Sequence, residues 1–424
     1  MASTVILGAG IIGVSTAYHL SDHQPASSIH LVDPASGLFS SASGYAGGFL
    51  AKDWFSPSIA SLGALSFEQH RRLAQEKGGR EKWGYAQTTS VSYTASPSSG
   101  GSNQASGEDW LLQGTTRAGA APEESLKISG PSRDAPAWLR RVRGDRLEHI
   151  STEGTTAQLD PLLLCRFLLQ ECLKRGVKLH HPAMALSVST DVRGELSSIR
   201  IVDTQSSIET DWPCTRLIIA AGVWSPGLFR SLFSHSQARL PILSLAGHSL
   251  VLKSPRWHGG LEADGCHAIY TTHSSGFCPE IYARLGGYIY IAGLNSAETP
   301  IPETPGKAPA DGTAIARLRK TARDLLGPTV LTEDGDDDLE VVREGHCFRP
   351  ITPWGTPIVS RIPDKDLGIG MATRPGEDGG VFLATGHGPW GISLSLGTGQ
   401  VLAELAQGRP CSADISSLAF RCEW

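Results

Sequence analysis

The sequence contains no stretch of about 18 unbroken apolar residues, so no segment reads as a membrane-spanning helix. Val5-Ile6-Leu7, the first apolar run, is too short for a secretory leader and has no basic residue before it. The end, Arg421-Cys422-Glu423-Trp424, carries no peroxisomal or prenylation signal, so a cytoplasmic protein is expected. Basic charge is also scarce. The 37 Lys and Arg against 42 Asp and Glu leave a formal net charge of -5, with no field to steer nucleic acid. The eight cysteines form no CxxC pair and no zinc spacing, and read as free thiols of a reducing compartment. No metal site is expected: the His180-His181 pair has no third ligand nearby in sequence.

What remains is ordinary globular material, 40% hydrophobic and 19% charged over 424 residues. That length suits two interwoven domains better than one. The patterning predicts a strand over Thr4 to Leu7, a helix over Ile11 to Leu20 and a strand over Ile29 to Val32, a βαβ unit. Helices are predicted over Ser56 to Gln75, Asp160 to Arg175, Gly312 to Leu326 and Ile392 to Leu405. Strands are predicted over Val177 to Leu179, Leu217 to Ala221, Ser249 to Leu252, Glu280 to Ala283, Tyr288 to Ala292 and Val381 to Ala384. Ser92 to Gly107, rich in Ser, Gly and Ala, reads as a surface insertion, and Glu333 to Glu340 as an acidic, solvated loop.

Gly8-Ala9-Gly10-Ile11-Ile12-Gly13 fits G-x-G-x-x-G between that first strand and helix. Asp33 ends the next strand about 20 residues on. The first glycine permits a tight turn, the second a close approach of pyrophosphate to backbone, the third close packing of helix on strand. The helix N-terminus then faces phosphate with partial positive charge. Asp33 can accept from ribose hydroxyls, which disfavours a 2′-phosphate and hence NADP. A dinucleotide is expected; a plain βα turn is the alternative.

Two further segments separate FAD from NAD. Ser40-Ser41-Ala42-Ser43-Gly44 places small hydroxyl residues within reach of a pyrophosphate, and Gly47-Gly48-Phe49-Leu50-Ala51-Lys52 begins with almost no side-chain bulk, as a surface under a wide tricyclic ring requires. Near the other end, Ala384-Thr385-Gly386-His387-Gly388-Pro389-Trp390-Gly391-Ile392 runs from a strand towards a helix, whose N-terminus could face the edge of a flavin where negative charge develops on reduction. FAD is the expected cofactor.

With these motifs the chain resembles the D-amino-acid oxidase superfamily of FAD enzymes, in the branch of glycine oxidase and monomeric sarcosine oxidase. Ala42-Ser43-Gly44-Tyr45-Ala46-Gly47-Gly48-Phe49-Leu50-Ala51-Lys52-Asp53-Trp54 looks most like the fungal Tda-three-like oxidoreductases. Leu217 to Pro226 matches the second FAD motif, with Ala221, Gly222 and Trp224, and Cys347-Phe348-Arg349-Pro350-Ile351-Thr352-Pro353 matches the Arg-Pro motif. Gly386-His387-Gly388, followed by Gly391 and Ile392, matches the C-terminal flavin loop. The resemblance spans nearly the whole chain. It implies an α/β fold: a discontinuous Rossmann-type FAD-binding domain (1–90, 150–235 and 340–424) and a mixed, mainly antiparallel β-sheet substrate domain (91–149 and 236–339) with an insertion near 95–109. It also implies that Ala185 lies by the adenine through its backbone.

The resemblance further implies an oxidase of a small amine or amino acid, working by hydride transfer to flavin N5 with dioxygen as acceptor, as a monomer or weak dimer. Arg349 is then the clamp for a substrate carboxylate, a task a guanidinium suits. Lys52 matches a basic residue near the flavin of sarcosine oxidase, and Cys347 the site of its thioether link; an exposed lysine and a buried thiol are the bland alternatives. Where glycine-binding relatives carry a second arginine-like group, this chain has Pro389 and Trp390, and the strand Tyr288 to Ala292 lacks the lysine that sarcosine oxidases place there. Trp390 would offer an apolar wall. His387 touches flavin or substrate, or is structural; Tyr282, Tyr290 and His248 line the pocket or pack the core. A dehydrogenase, a tailoring oxidase of a larger metabolite, or a non-catalytic trafficking protein that keeps FAD are the competing functions.

Overall fold

Thr4–Leu7 (β1), Ile11–Leu20 (α1) and Ile29–Val32 (β2) form the first unit, and both strands are buried throughout, as a sheet covered on both faces requires. The chain is described by a computed structural model over residues 3–95, 135–263, 265–272, 277–328 and 338–421. β1 and β2 lie inside a six-stranded sheet ordered Ile358–Ile362, Gly380–Thr385, Arg216–Ile219, β1, β2, Lys178–His180. All its pairs are parallel except that of Ile358–Ile362 with Gly380–Thr385. Strands from residues 4–7 and 380–385 thus share one layer. The closing helix, Ser395–Ala406 (α2), packs on α1.

The second sheet is nine-stranded and mainly antiparallel. From one edge it contains Glu340–Ile351, Leu243–Lys253, Tyr288–Ser296, Glu280–Arg284, Cys266–Thr272, Ala86–Thr94, Thr156–Gln158 and Phe49–Ala51, with Arg146–His149 paired to Ala86–Thr94. Four of these build the site and are labelled β3 (Leu243–Lys253), β4 (Glu280–Arg284), β5 (Tyr288–Ser296) and β6 (Glu340–Ile351). The two faces of β4 and β5 follow strand alternation. Ile281, Ala283, Ile289 and Ile291 pack against Ile315, Leu318 and Leu325 of the helix Gly312–Leu326. Tyr282, Tyr290 and Ala292 face the other way, into the core shared with the first sheet. Each fully buried aliphatic side chain contributes about 1.5–3 kcal/mol, so this alternation fixes which residues of β4 and β5 the site receives.

Several sequence expectations shift. Phe49–Ala51, Thr156–Gln158 and β6, expected in the cofactor domain, are hydrogen-bonded into the second sheet. The two three-residue runs carry no mark of which partner they take. The closing helix begins at Ser395, not Ile392; Gly388–Trp390 first forms a tight 3-10 turn, a place where Pro389 loses nothing by lacking an N–H. A three-stranded antiparallel sheet, Ala183–Thr190, Leu196–Asp203 and Glu209–Pro213, stands where only the segment at Ala185 was anticipated. The residues read as an insertion begin as the end of the strand Ala86–Thr94, and 96–107 lie outside the described residues. Of the acidic loop, 333–337 lie outside them too, Asp338 pairs with Arg256, and Glu340 opens β6. The seven cysteines described are free, and no described helix is long and apolar enough to cross a membrane.

Candidate cofactor and active site

The turn after β1 leaves no room for side chains. Gly8 has φ +106°, and a Cβ there would stand 2.5 Å from the Ala220 carbonyl oxygen; at Gly13 it would stand 1.9 Å from the Gly8 oxygen. The N-terminus of α1 is thereby drawn against the sheet edge. Asp33 Oδ2 accepts from Ala9 N at 2.9 Å and its Oδ1 from Ala35 N at 3.0 Å. Ser43 Oγ accepts from Ile11 N at 2.9 Å, satisfying one of the amides that open α1.

These residues line a cavity of about 430 Å³ between the two sheets. From the first sheet and its loops its wall takes Gly8, Gly10, Ile11, Ile12, Asp33, Ala221, Gly222, Trp224, His387, Gly388, Gly391 and Ile392, and from the three-stranded sheet Ala185. The segment 42–49 adds Ala42, Ser43, Gly47, Gly48 and Phe49, and the second sheet adds Tyr282, Cys347 and Arg349. Residues from both ends of the sequence therefore meet on one surface. Gly13, Gly44, Leu50, Lys52, Gly386 and Trp390 are not on the wall. Gly44 packs on the Phe39 carbonyl and Gly386 on Thr352, and Leu50 is fully buried. Lys52 pairs with Glu68 at 3.1 Å, with side chains 42% and 40% exposed. Trp390 packs edge-on against Phe55 at 4.9 Å and stands behind Phe49 at 6.5 Å.

The wall suits a dinucleotide. Ser40 faces the cavity with a buried Oγ that has no hydrogen-bond partner in the protein. The amides at the start of α1 present partial positive charge beside it, and the acid Asp33 stands where ribose hydroxyls can donate. Among the described residues no group of three or more His, Cys, Asp or Glu could hold a metal ion.

At the other end, β6 supplies Arg349. Its guanidinium passes over β3 at Gly247, where a Cβ would stand 2.4 Å from Nη1, and donates to Asn295 Oδ1 of β5. Phe49, Tyr282 and Tyr290 form a stack, with centroids 5.8 and 5.7 Å apart and planes tilted by 16° and 4°. A Cβ at Gly47 would stand 2.4 Å from the Tyr282 ring, so the loop lies flat against it. Tyr282 Oη donates to Glu280 Oε2 at 2.8 Å.

Sequence reasoning missed the residues that hold this arrangement. Arg284, buried at 2% exposure, donates from Nη2 to the carbonyl oxygens of Ala46 and Gly47, both at 2.7 Å. It pairs with Asp160 at 3.4 Å, and its guanidinium carbon lies 5.0 Å from the Tyr290 ring centre. Gln158 Nε2 donates to the same Gly47 oxygen at 2.7 Å. The available signal was polarity at every second position of β4, Glu280, Tyr282 and Arg284, between the apolar Ile281 and Ala283.

Burial decides the charge of the remaining groups. His387 bonds through Nε2 to Thr398 Oγ1 at 3.1 Å, and burial pushes its pKa down to about 3, so it is neutral at ordinary pH. Burial raises the Cys347 thiol, against the lowering influence of Arg349, and so keeps it protonated. Burial likewise raises Tyr290, although Arg349 and Arg284 oppose it.

A glycine-rich turn into a helix, an acid at the end of the second strand and a long cavity between two sheets define a dinucleotide-dependent enzyme. The profile of the DAO family, described as FAD dependent oxidoreductase, matches residues 3–405, and the chain belongs to that family. Its cofactor is FAD. An oxidoreductase of Schizosaccharomyces pombe is 27% identical over 438 residues, covering 98% of this chain and 96% of the relative. The Saccharomyces cerevisiae oxidoreductase TDA3 is 23% identical, covering 98% of this chain and 93% of that one. The structure of glycine oxidase from Geobacillus kaustophilus superposes with a TM-score of 0.67 at 17% identity, over 98% of this chain and 97% of that chain, which shows the shared fold.

Proposed function

We propose that this FAD-dependent oxidoreductase oxidises the carbon–nitrogen bond of a small amine or amino acid, with dioxygen as the electron acceptor and hydrogen peroxide as its product. The observation that carries this reading is Arg349, fixed by Asn295 and lining the same cavity as Gly47 and Tyr282. A guanidinium so placed suits a carboxylate. When bound, FAD accepts a hydride equivalent from the carbon bearing the nitrogen and passes the electrons on.

The chain's own contribution is positioning. Ser40, Ser43 and the amides of Gly10 to Ile12 suit the pyrophosphate, Asp33 the adenosine ribose, and the backbone at Ala185 the adenine. Gly47, Gly48 and Phe49 offer a flat surface to the tricyclic ring. Neutral His387 serves as a hydrogen-bonding group rather than a cation. Arg349 and the aromatic stack orient the substrate and exclude water, which supplies most of the rate when no side chain must move a proton. Mixing the anaerobic holoenzyme with a panel of amines and amino acids tests the reading: bleaching of the visible flavin band supports it, and a panel that bleaches nothing rejects it.

One observation favours a second reading of the acceptor. Among the described residues the cavity wall carries no lysine, and Lys52 is held outside it by Glu68. On that reading a carrier other than dioxygen takes the electrons. Readmitting air to the reduced enzyme separates the two: rapid return of the flavin band with peroxide release supports the oxidase, and slow return the other carrier.

A further inference from the structure

The cavity wall carries a carboxylate that the proposed reaction does not use. Glu280 opens β4, is half-buried, and lines the cavity. Strand alternation puts it on the same face as Tyr282, whose hydroxyl fixes its direction through a 2.8 Å bond to Oε2. On the neighbouring strand Glu280 pairs with Ala292, three residues from the Asn295 that holds Arg349. Strand spacings of 3.3 Å per residue along and 4.8 Å across put the backbones of Glu280 and Asn295 about 10 Å apart. An anion receptor and a carboxylate thus face one cavity, with the rings of Phe49, Tyr282 and Tyr290 alongside.

A carboxylate beside the reacting nitrogen would hold its proton on and oppose oxidation, which needs the neutral amine. Glu280 therefore suits a different nitrogen. We propose that Glu280, fixed by Tyr282, is a cation subsite, and that the substrate carries a second, permanently protonated nitrogen several bonds from the one oxidised. The inference rests on the reading of Arg349 and the reaction given above. Aromatic rings beside the subsite suit the methylene chain and the cation it carries.

A probe that binds but cannot react tests the subsite apart from the chemistry. In 5-(trimethylammonio)pentanoate the quaternary nitrogen has no lone pair and cannot become an imine; pentanoate is the uncharged-end control. Each is titrated into the holoenzyme while the flavin spectrum reports binding. The cationic probe is expected to bind about 10- to 100-fold tighter than pentanoate, and Glu280→Gln to erase that preference while leaving pentanoate unchanged. Glu280→Lys is expected to turn the preference towards glutarate. In a second arm, both enantiomers of lysine and norleucine reduce the flavin anaerobically, with lysine faster in the native protein and the two equal in Glu280→Gln. A native protein without preference, or a Glu280→Gln protein that keeps it, overturns the subsite even if norleucine reduces the flavin. A preference that vanishes in Glu280→Gln upholds the subsite even if no amine reduces the flavin, which would reject the reaction alone.

Discussion

Arg284 holds the Gly47 carbonyl from below: its Nη2 donates to that oxygen at 2.7 Å, and its Nε adds a second bond at 3.2 Å. The residue is at the end of β4 and the carbonyl belongs to the loop that the flavin ring is proposed to cover. A buried guanidinium is costly unless all its donors are used, and here they go to Ala46, Gly47 and Asp160. Arg284→Met is expected to lower stability by about 2–4 kcal/mol, through unsatisfied carbonyls and an unpaired Asp160. Arg284→Lys recovers little, since a point charge cannot serve both carbonyls and the carboxylate. Urea denaturation with and without added FAD measures this. The loss should be larger with FAD present, and an unchanged midpoint would show that Arg284 does not hold the loop.

Gly13→Ala must push α1 away from Gly8, because the added Cβ would stand 1.9 Å from the Gly8 oxygen. The purified variant is expected to be colourless, or to lose FAD on gel filtration. Gly37→Ala is the control, since a Cβ there meets nothing within 4 Å. It should retain FAD as the unaltered protein does.

Lys52→Met separates a surface ion pair from an oxygen-activating group. With both side chains about two-fifths exposed, the Lys52–Glu68 pair contributes roughly 0–1 kcal/mol. Flavin reduction and reoxidation rates are expected to stay within about twofold of the native values, since a group off the wall cannot supply the 100-fold effects of a positioned one. A tenfold fall in reoxidation alone would restore Lys52 to the site.

Stability is expected to fall with pH below about 6.5, the ordinary histidine value. His387 is pushed down to about 3, and His70, bonded to the Ile392 carbonyl at 3.0 Å, to about 4, both by burial. The unfolded chain takes up these protons first, so the unfolded state gains as pH drops from about 6.5 towards 4. Each histidine adds a slope of about 1.4 kcal/mol per pH unit in that window. Urea midpoints measured at pH 7.5 and 5.5 should show the decline, and His70→Gln should flatten it. A midpoint independent of pH would contradict burial of neutral imidazoles.

The βαβ opening, the acid Asp33 and the small-residue loop were legible in sequence because each obeys a local rule: a period, a turn, a spacing. Gly47 and Arg349 were legible as types but not in their partners. Nothing local links Arg349 to Asn295, 54 positions away, or Arg284 to Gly47, 237 positions away. These contacts come from the register of the second sheet. The partner of Lys52 was hidden for the same reason: its sequence neighbourhood is that of the cavity loop, yet the strand Phe49–Ala51 ends before it and the side chain pairs with Glu68. The sheet Ala183–Thr190, Leu196–Asp203 and Glu209–Pro213 was missed because few of its positions are buried, so apolar alternation is weak.

Cleavage of a carbon–nitrogen bond is proposed in the cavity lined by Gly47, Tyr282 and Arg349. Its most direct measurement is product analysis from the anaerobic holoenzyme, using whichever panel compound bleaches the flavin. A carbonyl compound and free amine or ammonia, the hydrolysis products of an imine, are expected to appear in step with flavin reduced. Arg349→Gln is expected to abolish this for compounds bearing a carboxylate. Bleaching that leaves the carbon–nitrogen bond intact, or an Arg349→Gln protein that reacts with carboxylate-bearing compounds as the native one does, would contradict it.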